Sequence, residues 1–316
     1  MVMAAVLLVL TAARRAPRIT QGELRTSTYT YTGGVTSGKQ NGFGICRYTN
    51  GNVYTGGWDM AYKQGIGRME YADGTMEFGR WNRGTLRTPS GRRFEPGKRV
   101  CGLDVSKYQK RIDWDKLALP AGASGKLSRN GNYLQPVLFM VVKSTQGTTI
   151  RNEYFAHQFT GAKDHGIIRG AYHFLSPSGS GADQARYFIR NTPLESGDMP
   201  PVLDLEIAHR TMQRDHARIL RIARDWLDAV EAHYGVKPII YTYDNYYRDY
   251  LHGHGFDGYD FWIANYNGEP RHADCIIWQF SQSGKAFGIG HAVDLNVFRG
   301  GDYADFKDYV RRKGIQ

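Results

Sequence analysis

Shifted by 23 residues, the N-terminal part of the chain falls onto itself: YTGGVTSGKQNGFGICRYTNGNV from Tyr31 lies over YTGGWDMAYKQGIGRMEYADGTM from Tyr54. Gly33/Gly56, Gly34/Gly57, Gly42/Gly65, Gly44/Gly67, Tyr48/Tyr71 and Gly51/Gly74 stay in register, and Trp58 recurs as Trp81 in a partial third copy that begins EFGRWNRG. A fixed period over spaced glycines and aromatics constrains the fold strongly, because such units bury their faces only by stacking on one another. Each unit reads as a β-hairpin of short aromatic strands, with Asn50-Gly51 and Asp73-Gly74 suited to positive φ. Of the 38 glycines in 316 residues, 16 precede residue 101, in keeping with a turn-rich N-terminal part.

Charge divides at the same place. Up to residue 100 there are 15 Lys and Arg against 6 Asp and Glu, an excess of nine within a net +11. That excess suits an anionic surface, of cell wall or membrane, or equally a basic surface kept for solubility. No basic helix or RNA-binding motif accompanies it, so no nucleic-acid partner is expected. Cys46, Cys101 and Cys275 are odd in number and lack CxxC spacing, which signals neither a disulfide framework nor a zinc site; Cys101 and Cys275 sit in apolar runs as small buried hydrophobes. Residues 1–13, MVMAAVLLVLTAA, have the length of a signal-peptide core and point to a secreted or cell-envelope protein, although Arg14 and Arg15 follow the run instead of preceding it. The Pro-containing stretch 85–99 reads as a linker, giving a repeat module over 31–97 and a second domain over 100–316.

In that second domain eight β-branched or apolar runs recur, ending near Ser106, Ser144, Phe174, Ile207, Tyr243, Tyr266, Ser281 and Phe298. Helix-length segments separate the earlier ones; the clearest covers about 213–234, where Ile219, Ile222, Ala223, Trp226, Leu227, Val230 and Tyr234 fall at helical spacing as a core stripe. After FWIANY the connections are too short or glycine-rich for helices. The pattern is five β/α units followed by three strands, an α/β fold of irregular (β/α)5(β)3 barrel type. The long connection from Leu117 to Gln135 reads as a surface loop.

Acids and aromatics occupy these apolar strands. Asp104, Asp204, Glu206 and Asp294 lie within or at the ends of strands, as do Tyr172, His173, Tyr241, Tyr243, Trp262, Tyr266 and Trp278, and in parallel barrels the C-terminal strand ends converge on one rim. Asp204 and Glu206 are two apart, so on a strand they point the same way. Desolvated and repelling one another, such carboxylates include one that holds a proton near neutral pH. A general acid with an anionic partner in an aromatic cleft suits glycoside hydrolysis. No Asp-rich calcium loop accompanies the acids, and no metal site is expected. Residue by residue, blander roles compete: Asp104 as a helix cap, His173 as a structural hydrogen-bond partner, Trp278 as core.

Two resemblances follow from these residues. The hairpins resemble MORN repeats: the second copy matches Tyr-x-Gly-x-Trp, Gly-x-Gly and Tyr-x-x-Gly, while the first has Val35 at the tryptophan position. This implies a small all-β accessory module. From Gly102 onward, GLDVSKYQKRIDW, RGAYHF, PVLDLE, YTY, WIANY, WQFS and VDLNVF resemble the family 25 glycoside hydrolases, lysozymes acting as N-acetylmuramidases on a TIM-like barrel. The resemblance implies peptidoglycan glycan strands as substrate and no cofactor. It implies Glu206 as general acid at the β-1,4 bond between N-acetylmuramic acid and N-acetylglucosamine, with Asp204 assisting the substrate's 2-acetamido group. Asp104 and Asp294 would complete the acidic set, and Tyr172, Tyr241, Trp262, Tyr266, Trp278 and Gln146 are the substrate-binding candidates.

Gln146 departs from the pattern, standing where the family commonly carries a glutamate. The loss of that charge predicts a less elevated Glu206 pKa. It also keeps open a binding-only protein, and the basic repeats keep open a surface adaptor.

Overall fold

The computed structural model describes residues 18–88, 99–272 and 274–316. The apolar segment 1–13 and most of the expected linker lie outside the described residues. Within them, seven strands form one antiparallel meander: β1 (Thr20–Arg25), β2 (Tyr29–Thr36), β3 (Lys39–Tyr48), β4 (Val53–Asp59), β5 (Tyr62–Glu70), β6 (Met76–Asn82) and β7 (Thr85–Arg87). The sheet thus starts before the repeats, and Thr85–Arg87, expected as linker, is its last strand.

The strand register explains the repeat. Gly22 pairs with Gly33, Gly33 with Gly44, Gly44 with Gly56, Gly56 with Gly67 and Gly67 with Gly79, so a row of glycines crosses six strands. Tyr31 lies over Gly44 and Tyr54 over Gly67, where any β-carbon would overlap the ring. Each hydroxyl then donates to the carbonyl three residues on, Tyr31 to Gly34 at 2.8 Å and Tyr54 to Gly57 at 3.1 Å. Trp58 stands edge-on between them and Trp81 edge-on to Tyr54 alone, at centroid separations of 5.2 to 5.5 Å. The turns repeat too: Ser37-Gly38, Met60-Ala61 and Arg83-Gly84 are two-residue turns with positive φ at both positions, the geometry that matches strand twist.

The remaining residues close an eight-stranded barrel. Its strands are β8 (Cys101–Val105), β11 (Phe139–Gln146), β13 (Ile168–Phe174), β14 (Val202–Asp204), β15 (Ile239–Tyr243), β16 (Phe261–Ala264), β17 (Cys275–Gly284) and β18 (Val293–Phe298), and β8 pairs with both β18 and β11. Pairing is parallel except on both sides of β18. Helices α1 (Phe155–Asp164), α2 (Gly181–Asn191) and α3 (His209–Tyr234) cover the wall, α4 (Asp244–Tyr246) runs into a π-helical turn at Tyr247–Leu251, and α5 (Tyr303–Lys313) ends the chain. The two-residue β12 (Ile150–Arg151) only pairs with the end of β11.

The first crossover departs from the expected β/α alternation. Between β8 and β11 stands a 3-10 turn, Trp114–Lys116, followed by a hairpin of β9 (Leu119–Ala121) and β10 (Tyr133–Gln135), where a surface loop was expected. Pro120, Gly122, Gly125 and Gly131 make a helix there unfavourable. The uncovered wall is met by the meander instead. Arg68, buried, donates to Gly166 O at 3.2 Å, Phe43 packs on His165 at 4.2 Å, and Lys307 of α5 reaches Glu70 at 3.1 Å. All three cysteines are free and buried. Among the described residues no helix is long and apolar enough to cross a membrane.

Candidate active site

Strand alternation sorts the barrel side chains. Leu103 and Val105, Met140 and Val142, Leu203 and Leu205, Phe261 and Ile263, Val293 and Leu295 pack outward under the helices. Their neighbours Asp104, Lys143, Asp204, Trp262 and Asp294 therefore face inward. The lower interior is filled by Phe139, Val141, Val202, Ile239, Ile277 and Phe298. Above it, at the C-terminal ends of the parallel strands, a cavity of about 260 Å3 is lined by Asp104, Asp204, Glu206 and Asp294 together with Tyr172, Tyr241, Tyr243, Trp262 and Tyr266.

Asp104 and Asp294 are direct cross-strand partners, an arrangement that like charges disfavour. Asp104 Oδ2 accepts from Gln279 Nε2 at 2.9 Å and Asn296 Nδ2 at 2.8 Å. Each amide is oriented in turn: Tyr241 and Tyr266 donate to Gln279 Oε1 at 3.0 and 2.8 Å, and Trp262 Nε1 donates to Asn296 Oδ1 at 2.8 Å. Burial pushes Asp104 up while these amides hold it down. Asp294, pushed to about 8 by burial and by Asp104, is the member that holds a proton at neutral pH. A helix-cap role for Asp104 is not what the fold gives it.

Asp204 closes β14 and Glu206 follows just beyond, both on the cavity. Burial, then repulsion by Glu206, raises Asp204 well above the usual carboxylate range, and its Oδ1 is buried without a hydrogen-bond partner. Glu206 is raised to about 7, chiefly by burial, against the opposing effects of the Tyr243 hydroxyl and the Lys143 ammonium. A carboxyl half protonated near neutral pH can give and take a proton in one reaction cycle.

Two candidates stand apart from this cavity. Gln146 is not among its lining residues; its Oε1 accepts from Lys143 Nζ at 2.9 Å. Trp278 lies on the alternate face of β17 from Gln279, its Nε1 donating to Asn265 O at 2.8 Å and its ring 5.6 Å from Phe280. Period two decides this: WQF puts the glutamine inward. His173 is structural, fully buried between Thr145 and Gln184, stacked on Trp226 and lowered to about 4 by burial. Sequence reasoning missed Gln279 and Asn296 and left Tyr243, counted among the strand aromatics, out of the substrate-binding set, although Tyr243 and Asn296 sit two residues beyond the chosen Tyr241 and Asp294, the same-face spacing used for Asp204 and Glu206.

Residues 103–289 match the model of the Glycosyl hydrolases family 25. The chain is 36% identical over 204 residues to the uncharacterised protein YegX of Escherichia coli K12, covering 64% of this chain and 70% of that one. It is 30% identical over 219 residues to Lysozyme M1 of Streptomyces globisporus, covering 64% and 68%. Among solved structures, a family 25 glycosyl hydrolase from Bacillus anthracis superposes with a TM-score of 0.56 at 29% identity, over 66% of this chain and 93% of that one.

Proposed function

The chain belongs to glycosyl hydrolase family 25, and from that premise we propose that it is a muramidase that cleaves peptidoglycan at the β-1,4 bond between N-acetylmuramic acid and N-acetylglucosamine. The observation that carries the reading is Glu206, poised near pKa 7 among three further acids in an aromatic-lined cavity. Glu206 protonates the glycosidic oxygen as the C1–O bond breaks. Asp204 accepts the N–H of the substrate's 2-acetamido group, whose carbonyl oxygen bonds to C1 and carries the developing charge. Glu206, now a carboxylate, then takes a proton from water as that water attacks C1 and reopens the ring. The Asp104–Asp294 pair sets the floor of the groove with a single shared negative charge. Tyr172, Tyr241, Trp262 and Tyr266 offer ring faces and hydroxyls to the sugars, with no cofactor needed.

The substrate lies in the cell envelope, so the protein acts there or beyond it, secreted or envelope-bound. The meander is a short MORN-like module whose basic charge suits an anionic cell-wall or membrane surface. A binding-only role gains nothing from Gln146, which leaves Glu206 and Asp204 in place. The test is digestion of purified peptidoglycan by the full chain and by Glu206→Gln, with mass spectrometry of the reduced products. Fragments ending in reduced N-acetylmuramic acid are expected from the wild type alone. Products ending in reduced N-acetylglucosamine, or no products between pH 4 and 9, would overturn the assignment.

A further inference from the structure

The face where the meander meets the β9–β10 hairpin carries cations without a counter-charge. A cavity of about 320 Å3 there is lined by Arg80 of β6 and Arg87 of β7, with Phe78, Asn132 and Phe287 beside them. Arg80 and Arg87 are direct cross-strand partners, so both side chains leave the sheet on one side, an arrangement that costs free energy for like charges. A smaller cavity, of about 190 Å3, lies between the hairpin and the end of β17 and is lined by Arg129 and Lys285. Lys285 Nζ stands 5.5 Å from the ring of Phe287, a wall of the larger cavity, and Arg129 donates to a neutral carbonyl, Ser283 O, at 3.3 Å. No Asp or Glu lines either cavity, and among the described residues none of the four cations has a carboxylate partner. The chain shows the same bias: residues 117–135 hold Lys126 and Arg129, and 278–292 hold Lys285, with no acid in either segment.

These cations begin at the catalytic groove. Alternation along β17 sets Gln282 on the catalytic cavity and Ser281 and Ser283 on the smaller basic one, so the end of this strand is a wall common to both. From Gln282 to Phe287 the chain advances five residues, at most ~18 Å, and a short extended peptide leaving the groove over Gln282 covers the same span. A neutral ligand does nothing to offset the repulsion between Arg80 and Arg87. A single small anion gains little from exposed cations in water, whereas several cations in line attract a ligand that carries several carboxylates, and guanidinium forks match carboxylates two bonds at a time. The glycan in the groove brings such a ligand with it, in the acidic stem peptides on its muramic acid residues. We propose that Arg129, Lys285, Arg80 and Arg87 form a docking track for these stem peptides, so that the chain acts preferentially on glycan whose stems are present and charged. The proposal rests on the peptidoglycan reading for the identity of the substrate.

The test compares two substrates of the full chain: peptidoglycan oligomers with intact stems, and the same oligomers with the stem carboxylates converted to methylamides. At low ionic strength kcat/KM should favour the charged stems roughly tenfold, the sum of four weak exposed contacts. In 1 M salt, where the Debye length is ~3 Å, the preference should fall towards one. Arg80→Gln with Arg87→Gln, and Arg129→Gln with Lys285→Gln, each remove half of the track and should each lower the ratio to about threefold. Both double variants should turn over the methylamide oligomer as the wild type does, which also shows that they fold. Equal kcat/KM for the two oligomers in the wild type overturns the proposal, as does a ratio indifferent to both variants. Binding of phosphatidylglycerol vesicles that both variants lose, with the oligomer ratio at one, would assign the cations to a membrane and overturn it too. Calorimetric Kd values of Glu206→Gln for the same two oligomers read the preference without turnover. Failure of the wild type to cleave therefore refutes the muramidase reading, whereas equal affinities refute the docking track.

Discussion

The Gln146→Glu substitution should move the basic limb of the pH–rate profile upward by about one unit. Glu206 must be protonated to act as the acid, so kcat/KM falls as pH rises through its pKa of about 7. The groups that face it are Asp104 on β8, Lys143 on β11, Tyr172 on β13, Asp204 on β14, Tyr243 on β15, Tyr266 beyond β16 and Asp294 on β18. Lys143 is the cation among them, and its side-chain partner, Gln146, is neutral. A glutamate in that place would pair with the ammonium and cancel its pull on Glu206. At an effective dielectric of about 20, a unit charge ~7 Å away is worth about 2.4 kcal/mol, or roughly 1.7 pKa units. Solvent in the open groove screens roughly half of this, leaving about one unit. The assay is kcat/KM on a soluble glycan oligomer from pH 4 to 9, with Lys143→Met as a second variant that moves the limb the same way. A limb that stays put, or moves down, in both variants would refute the charge argument.

Three further outcomes follow from the fold. Ala61 holds φ at 77° where both equivalent turns have glycine, so Ala61→Gly should stabilise by about 1 kcal/mol, seen as a rise of roughly 2 to 4 °C in Tm. Arg68→Met leaves Glu70 and Gly166 O short of a partner in the buried contact between sheet and barrel; Tm should fall by about 5 °C or more while turnover of a soluble oligomer holds. Asp294 has a folded pKa of about 8 against ~3.9 unfolded, so the folded state holds a proton that the unfolded state releases. Stability is therefore full at pH values below the unfolded pKa and is lost as pH rises towards 8. Asp294→Asn should raise Tm more at pH 9 than at pH 4, and an equal rise at both would count against a buried proton.

Much of this was legible because two periods are written into the residues. The 23-residue spacing carries the glycine row: Gly33, Gly44, Gly56 and Gly67 must be glycine where strands and tyrosine rings approach too closely for a β-carbon, so the sequence repeats whatever the structure repeats. Period two places Asp104, Asp204 and Asp294 inward, since Leu103, Leu203 and Leu205, and Val293 and Leu295, need the helix side. What escaped depends on contacts distant along the chain. Strand β1 carries only Gly22 of the pattern, opposite Gly33, and none of its aromatics, and it pairs along the edge that β2 offers. Gln279 and Asn296 look like ordinary strand amides until the barrel closes and sets them against Asp104. Trp278 was read from its type, when its neighbour's parity was the better guide. Gln146 was read as one missing charge, when its effect passes through Lys143.

The repeat module and the barrel are joined by more than sequence adjacency. A crossover without a helix leaves the wall beside β8 and β11 bare, and the meander occupies that place with Arg68 on Gly166, Phe43 on His165 and Met76 against the barrel interior. Proline and glycine in the crossover thus make sense only alongside the glycine row in the sheet: the first removes a covering helix, and the second supplies a thin, strongly turned surface to replace it. Barrel enzymes keep chemistry at one end and stability at the other. In this chain the raised carboxylates at the catalytic end oppose folding as they ionise, and the docked sheet stabilises the opposite end, where a change does not disturb their geometry.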